Sequence, residues 1–179
     1  MSTVLTPDQI LRLGLIVSPI VLFLAVLYSR AGTRRMIGAM AGGVAYAAVA
    51  YAWDTAALGL GWWGSPGIGG QAPPAIFYLP VAVAYGAPGA LLGWRAARKW
   101  GRRGMGAFLS GWALFGIGHD RVVASLAATS RVLAFAPGIV PLLGDALRWA
   151  SAAAVAQGVM WLVAGPPETD LLAGQPASA

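Results

Sequence analysis

Apolar segments about twenty residues long recur along this chain, and clusters of basic residues punctuate them. Twenty apolar residues in a helix match the ~30 Å thickness of bilayer hydrocarbon. The segments cover residues 7–28, 36–58, 74–94, 105–126 and 145–164. Arg30, Arg34 and Arg35 follow the first, and Arg95, Arg98, Lys99, Arg102 and Arg103 follow the third. Basic residues collect in cytoplasmic loops of membrane proteins. With five helices, both clusters fall on one side when the N-terminus is outside and the C-terminus inside. The expectation is an all-α integral membrane protein with a bundle of about five transmembrane helices. Residues 1–164 form its polytopic domain and residues 165–179 a disordered tail. A six-helix arrangement, with residues 122–143 crossing, is the main competitor.

Composition agrees. Of 179 residues, 58% are hydrophobic and only 10% charged, whereas a soluble domain carries about 25% charged residues. There are no cysteines, which excludes disulfides, thiolate metal sites and a cysteine nucleophile. A single histidine argues against a multi-histidine haem or metal centre. The net charge of +6 would suit nucleic acid, but the cations sit at the ends of apolar segments, so no nucleic-acid partner is expected. No positive stretch precedes the first apolar segment, as a cleavable signal would require. High Ala, Gly and Arg usage suggests a bacterial, GC-rich source, hence the inner (plasma) membrane.

Local signals refine the segments. Thr6, Pro7 and Gln9 read as N-cap, N1 and N3 of the first helix. Pro19 should kink that helix, and Pro80 and Pro88 should bend the third. Gly38 and Gly42 form a small-xxx-small pattern suited to close packing. Residues 127–144, interrupted by Arg131, Pro137, Gly138 and Pro141, read as interfacial or re-entrant.

Asp54, Asp120, Asp145 and the histidine fall near one end of these segments. Asp54 lies about 27 Å along the second helix from Met36, and His119 about 22 Å into the fourth, at 1.5 Å per residue. Charges at that depth are paired or functional. Gly43, Ala47 and Ala50 form a small-residue lane beneath Asp54, either a packing seam or room for a lipid-like ligand. His119, Asp120 and Arg121 are successive residues about 100° apart, so all three cannot face one cavity. A salt bridge from Arg121 to Asp54 or Asp145 is one reading. Asp145 and Arg148 read as a helix-start pair. No G-x-S-x-G, H-E-x-x-H, P-loop or dinucleotide fingerprint is present.

From Tyr51-Ala52-Trp53-Asp54 through Gly61-Trp62-Trp63, and again at Phe77-Tyr78-Leu79-Pro80, the chain resembles the carotenoid (lycopene) cyclases of membranes and the small membrane-integral terpene cyclases. The resemblance covers a short part of the chain. Lycopene cyclases carry a Pro-x-Glu-Glu type motif on the following helix, whereas here no acid lies between Asp54 and Asp120. This argues against lycopene as substrate and implies that Asp120 supplies the second carboxyl group.

The resemblance implies a cyclase or isomerase acting on a hydrophobic isoprenoid. Asp54 or Asp120 would be the acid, and the other, or His119, the base. Trp53, Trp62, Trp63, Tyr78, Trp112 and Trp149 would line the pocket and stabilise a carbocation through their π faces. Such chemistry needs no cofactor or metal. The rival expectation is a non-catalytic membrane subunit or lipid-binding protein whose outer charge cluster docks a partner. A small transporter is a third, weakened by the absence of a polar stripe through the bundle.

Overall fold

The computed structural model describes residues 5–71, 73–126, 129 and 132–167. Helix α1 (Pro7–Ser29) starts where the capping signals place it. Thr6 Oγ1 accepts from the Gln9 backbone N–H at 3.3 Å, and Gln9 Oε1 accepts from the Thr6 N–H at 2.8 Å. The helix continues through Pro19 and ends at Arg30, whose left-handed backbone (φ 52°) turns the chain. α2 (Thr33–Gly59) packs along α5 (Ile139–Ala164). A Cβ added to Gly38 would lie 2.7 Å from Ala164 Cβ, and one on Gly42 would lie 2.6 Å from the Ala156 carbonyl oxygen. Only glycine allows backbones this close.

Between these helices the chain forms a short α3 (Tyr78–Val81), a π-helical turn (Ala82–Gly86) and the long α4 (Ala87–Ser125). The π turn immediately precedes Pro88, whose ring would clash with the carbonyl four residues back in regular α-helix. The lane beneath Asp54 is a packing seam at Gly43, where an added Cβ would lie 2.6 Å from the Ala82 carbonyl oxygen.

Four helical stretches are long and apolar enough to cross a membrane: Pro7–Ser29, Thr33–Gly59, Ala75–Ser125 and Ile139–Ala164. The third is 51 residues long, but it is not straight. Gly101 has φ 56° and ψ −142°, outside the helical region. Residues on either side of it face each other in nested pairs. An added Cβ on Gly93 would lie 2.7 Å from the Phe108 ring, and one on Gly89 would lie 2.9 Å from the Trp112 ring. Gly104 likewise abuts Ala96. α4 therefore doubles back at Gly101, with the basic run Arg95–Arg103 at the reversal.

The described part of residues 127–144 contains a short strand and the first turns of α5. Trp63–Gly64 (β1) pairs antiparallel with Ala134–Phe135 (β2), Trp63 opposite Phe135. α5 then begins at Ile139, so Asp145 is not at its start but well inside it. Arg131 lies outside the described residues. At the far end Arg35 donates to the carbonyls of Gly165 (2.5 Å) and Pro166 (3.1 Å), so the chain is held to the bundle beyond residue 164. The tail expected to be disordered lies otherwise outside the described residues, from 168 onward.

Both basic clusters sit at one end of the bundle. The Arg35 guanidinium lies 5.0 Å from the centre of the Trp94 ring, and Arg95 donates to the Tyr28 carbonyl at 3.0 Å. The core is built largely from small side chains, among them Ala39, Ala87, Ala90 and Ala152, around Leu91, Trp94 and Met160. The outside is apolar: Ile16 is 67% exposed and Leu162 87%. In α1, with a mean hydropathy of 2.6, only 11% of the most apolar window is buried. Apolar surface this extensive marks contact with a non-aqueous phase or a partner.

Candidate functional site

At the end opposite the basic clusters, α2, α4 and α5 bring Asp54, Asp120 and Asp145 around a single guanidinium. Arg148 donates from Nη1 to Asp54 Oδ1 at 3.1 Å, and from Nη2 to Asp145 Oδ1 at 3.1 Å and to Asp120 Oδ2. Its side chain is only 15% exposed. The partner of Asp54 and Asp145 is thus Arg148 rather than Arg121. Arg121 lies 4.0 Å from the Phe135 ring centre, and its Nε has no hydrogen-bond partner. The Asp145–Arg148 pair, expected as a helix-start feature, is instead the buried centre of this network.

Each carboxylate has a different set of further donors. Asp54 accepts from the Tyr78 hydroxyl at 2.6 Å and from Trp63 Nε1 at 3.1 Å. Asp120 accepts from Trp149 Nε1 at 2.9 Å. His119 Nδ1 lies 2.8 Å from the other Asp120 oxygen, and His119 Nε2 lies 2.9 Å from the Tyr85 hydroxyl. Asp145 is fully buried, and its Oδ2 has no partner. Two polar chains thus leave Arg148: one through Asp54 to Tyr78, the other through Asp120 and His119 to Tyr85.

Both chains end on a cavity of about 470 Å³ beneath α1. Asp54, Tyr78, Tyr85, His119 and Asp120 contribute to its polar wall. Ile10, Leu13, Val17, Phe77, Val81, Val123 and Leu133 are among the apolar side chains that complete it. His119 and Asp120 both reach the cavity, whereas Arg121 does not line it, in keeping with their angular separation.

The six aromatic candidates separate. Trp63 and Tyr78 line the cavity. Trp149 stands behind it, 5.5 Å from the Tyr85 ring and 5.8 Å from His119, seated directly on Gly116. Trp112 lines a neighbouring cavity lower in the bundle. Trp53 turns to α5 and donates to Ser151 at 2.9 Å. Trp62 covers Gly144. Neither lines the site. Tyr85 is the residue that sequence reasoning missed. Its signal was Pro88 three residues on, because the proline leaves the π turn that presents Tyr85, and such turns are frequent at functional sites.

The cavity wall can exchange protons. A tyrosine hydroxyl and an imidazole share one hydrogen bond, and a carboxylate orients the imidazole. Asp54, bonded to Arg148, Tyr78 and Trp63, stands at the edge of an apolar space. Comparison with protein-family models, curated proteins and solved structures returns no match.

Proposed function

We propose that the chain is an integral membrane protein of the bacterial inner membrane that isomerises or cyclises a hydrophobic isoprenoid in this cavity. Its five crossings are α1, α2, the two arms of α4 and α5, with the N-terminus outside. The exposed apolar surface and the two basic clusters at one end support this arrangement. Each arm of the Ala75–Ser125 hairpin is long enough for one crossing.

The observation that carries the catalytic reading is the Tyr85–His119–Asp120 chain opening on an apolar cavity beside Asp54. This reassigns the roles expected from the resemblance to terpene and carotenoid cyclases. Asp54, in its ion pair with Arg148, is the countercharge to a carbocation rather than the acid. Tyr85 and His119 are the proton-transfer pair, and Asp120 positions His119 through Nδ1.

The pair donates a proton to an alkene carbon or an epoxide oxygen. The π electrons of a neighbouring alkene then close the ring, or the cation simply relocates. Loss of a proton from carbon back to the pair ends the reaction. The change is a net isomerisation, so atoms balance without a co-substrate. Trp63, Tyr78 and Tyr85 offer π faces to the cation.

Purified protein incubated with farnesyl and geranylgeranyl alcohols, epoxides and hydrocarbons tests the reading. The expected result is an isomeric product of unchanged mass, formed roughly 10²-fold more slowly by His119→Gln. Recovery of every substrate unchanged from folded protein would favour the rival, a non-catalytic subunit in which the Arg148 network is purely structural.

A further inference from the structure

Three cavities lie end to end along one side of α1. The site cavity reaches down to Val17 and Tyr85. A second, of about 430 Å³, begins at those two residues and runs to Tyr28 and Leu92. A third, of about 250 Å³, shares Tyr28 and Leu92 and ends among Arg95, Lys99 and Trp100. The lining changes along this track, from the polar wall at the top, through aliphatic and aromatic side chains, to two cations at the bottom.

Those cations face no carboxylate among the described residues. Arg95 donates to the Tyr28 carbonyl and lies 4.6 Å from that ring's centre, while Lys99 lies 4.7 Å from the Trp100 ring centre. Both retain unused donors, and arginine and lysine together suit a phosphate.

Length decides what kind of chain follows the phosphate. From Tyr28 to Val17 is about 16 Å along α1, and from Tyr28 to Ile10 about 27 Å. One leaflet is half of ~30 Å. The acyl chain of a phospholipid with its headgroup at Arg95 would end near Val17, at the lower edge of the site cavity, and leave the rest of that cavity unfilled. Filling the track takes a longer single chain.

We propose that this track binds one long single-chain amphiphile of the polyisoprenyl phosphate class. Its phosphate sits at Arg95 and Lys99, its chain lies along α1, and its far end lies against Tyr85 and His119. The inference rests on the proposed isoprenoid chemistry and deepens it: the reacting double bonds are those distal to the phosphate, which stays attached.

Hexaprenyl monophosphate is the probe, because a geranylgeranyl chain is no longer than a common acyl chain, and hexaprenol is its uncharged control. Binding to the full chain in uncharged detergent is read by tryptophan fluorescence. Lys99→Gln, whose side chain makes no hydrogen bond among the described residues, should weaken phosphate binding roughly tenfold, and adding Arg95→Gln should give a similar further loss. Binding of the alcohol should change less than about twofold, because its hydroxyl draws little on either cation. Ala84→Phe, in the middle cavity, should weaken both ligands. Unchanged phosphate affinity in the folded double variant would overturn the proposal. So would displacement of the probe by an equal concentration of phosphatidylglycerol, which would make the occupant an ordinary bilayer lipid. The expected binding pattern without any turnover would uphold the track and count against the catalytic reading. Turnover of an uncharged isoprenoid without phosphate binding would do the reverse.

Discussion

Replacing Arg148 by methionine leaves three carboxylates around an apolar side chain, but the damage should not be shared equally. Asp54 keeps the Tyr78 hydroxyl at 2.6 Å and Trp63 at 3.1 Å. Asp120 keeps Trp149 at 2.9 Å and His119 at 2.8 Å. Asp145 is fully buried and loses its sole cationic partner among the described residues. Removing one member of a buried ion pair costs about 3–5 kcal/mol, because the other charge is stranded. Arg148→Met should destabilise by that amount, mostly through Asp145. Adding Asp145→Asn should recover the larger part, and adding Asp54→Asn the least. Thermal melting in detergent, followed by circular dichroism and arranged as double-mutant cycles, reads these couplings. An Arg148→Met protein that melts with the wild type, or better rescue by Asp54→Asn than by Asp145→Asn, would show that Asp145 is not the stranded charge.

Other consequences are separable. Tyr85→Phe and His119→Gln should each lower turnover of an isoprenoid roughly 10²-fold, while Tyr85→Phe shifts stability by only about 1 kcal/mol, the value of one hydrogen bond; full turnover in either would remove the proton-transfer pair from the mechanism. Gly116→Ala should destabilise by about 1–3 kcal/mol by displacing Trp149, with a change in tryptophan emission. Gly111→Ala, whose Cβ meets nothing within 4 Å, should be neutral or stabilising by up to about 1 kcal/mol; equal losses at both glycines would mean that the Trp149 seat is not special. Because the chain has no cysteine, single cysteines at Thr33 and Arg98 can be labelled cleanly, and both should react only from the cytoplasmic side.

Local chemistry made part of this arrangement legible. The Thr6–Gln9 cap, the Gly38–Gly42 seam and the shared end of the two basic clusters all rest on short-range signals. The meeting of Asp54, His119 and Asp145 followed from their similar heights and the cost of solitary charge in an apolar bundle. What stayed hidden depends on tertiary geometry. Gly138 and Pro141 look like breakers, yet Pro141 sits in the first turn of α5, where a missing N–H costs nothing. This places Asp145 inside the helix rather than at its start. Arg121 looks as good a partner as Arg148, but with Asp120 facing inward its neighbour turns toward Phe135. Tyr85 shows no pattern of its own, because a π turn rather than an α-helical face aims it. The reversal at Gly101 was expected as a loop between two helices; the chain instead keeps helical hydrogen bonding almost up to a single glycine.

Proton transfer between solvent and the carbon skeleton of a substrate separates catalysis by Tyr85 and His119 from a purely structural network. Isoprenoid incubated with the purified protein in deuterated water should return an isomeric product carrying deuterium on carbon, with incorporation slowed roughly 10²-fold in both His119→Gln and Tyr85→Phe. Folded wild-type protein that yields no deuterated product, or a His119→Gln variant that incorporates deuterium at the wild-type rate, would contradict catalysis by that pair.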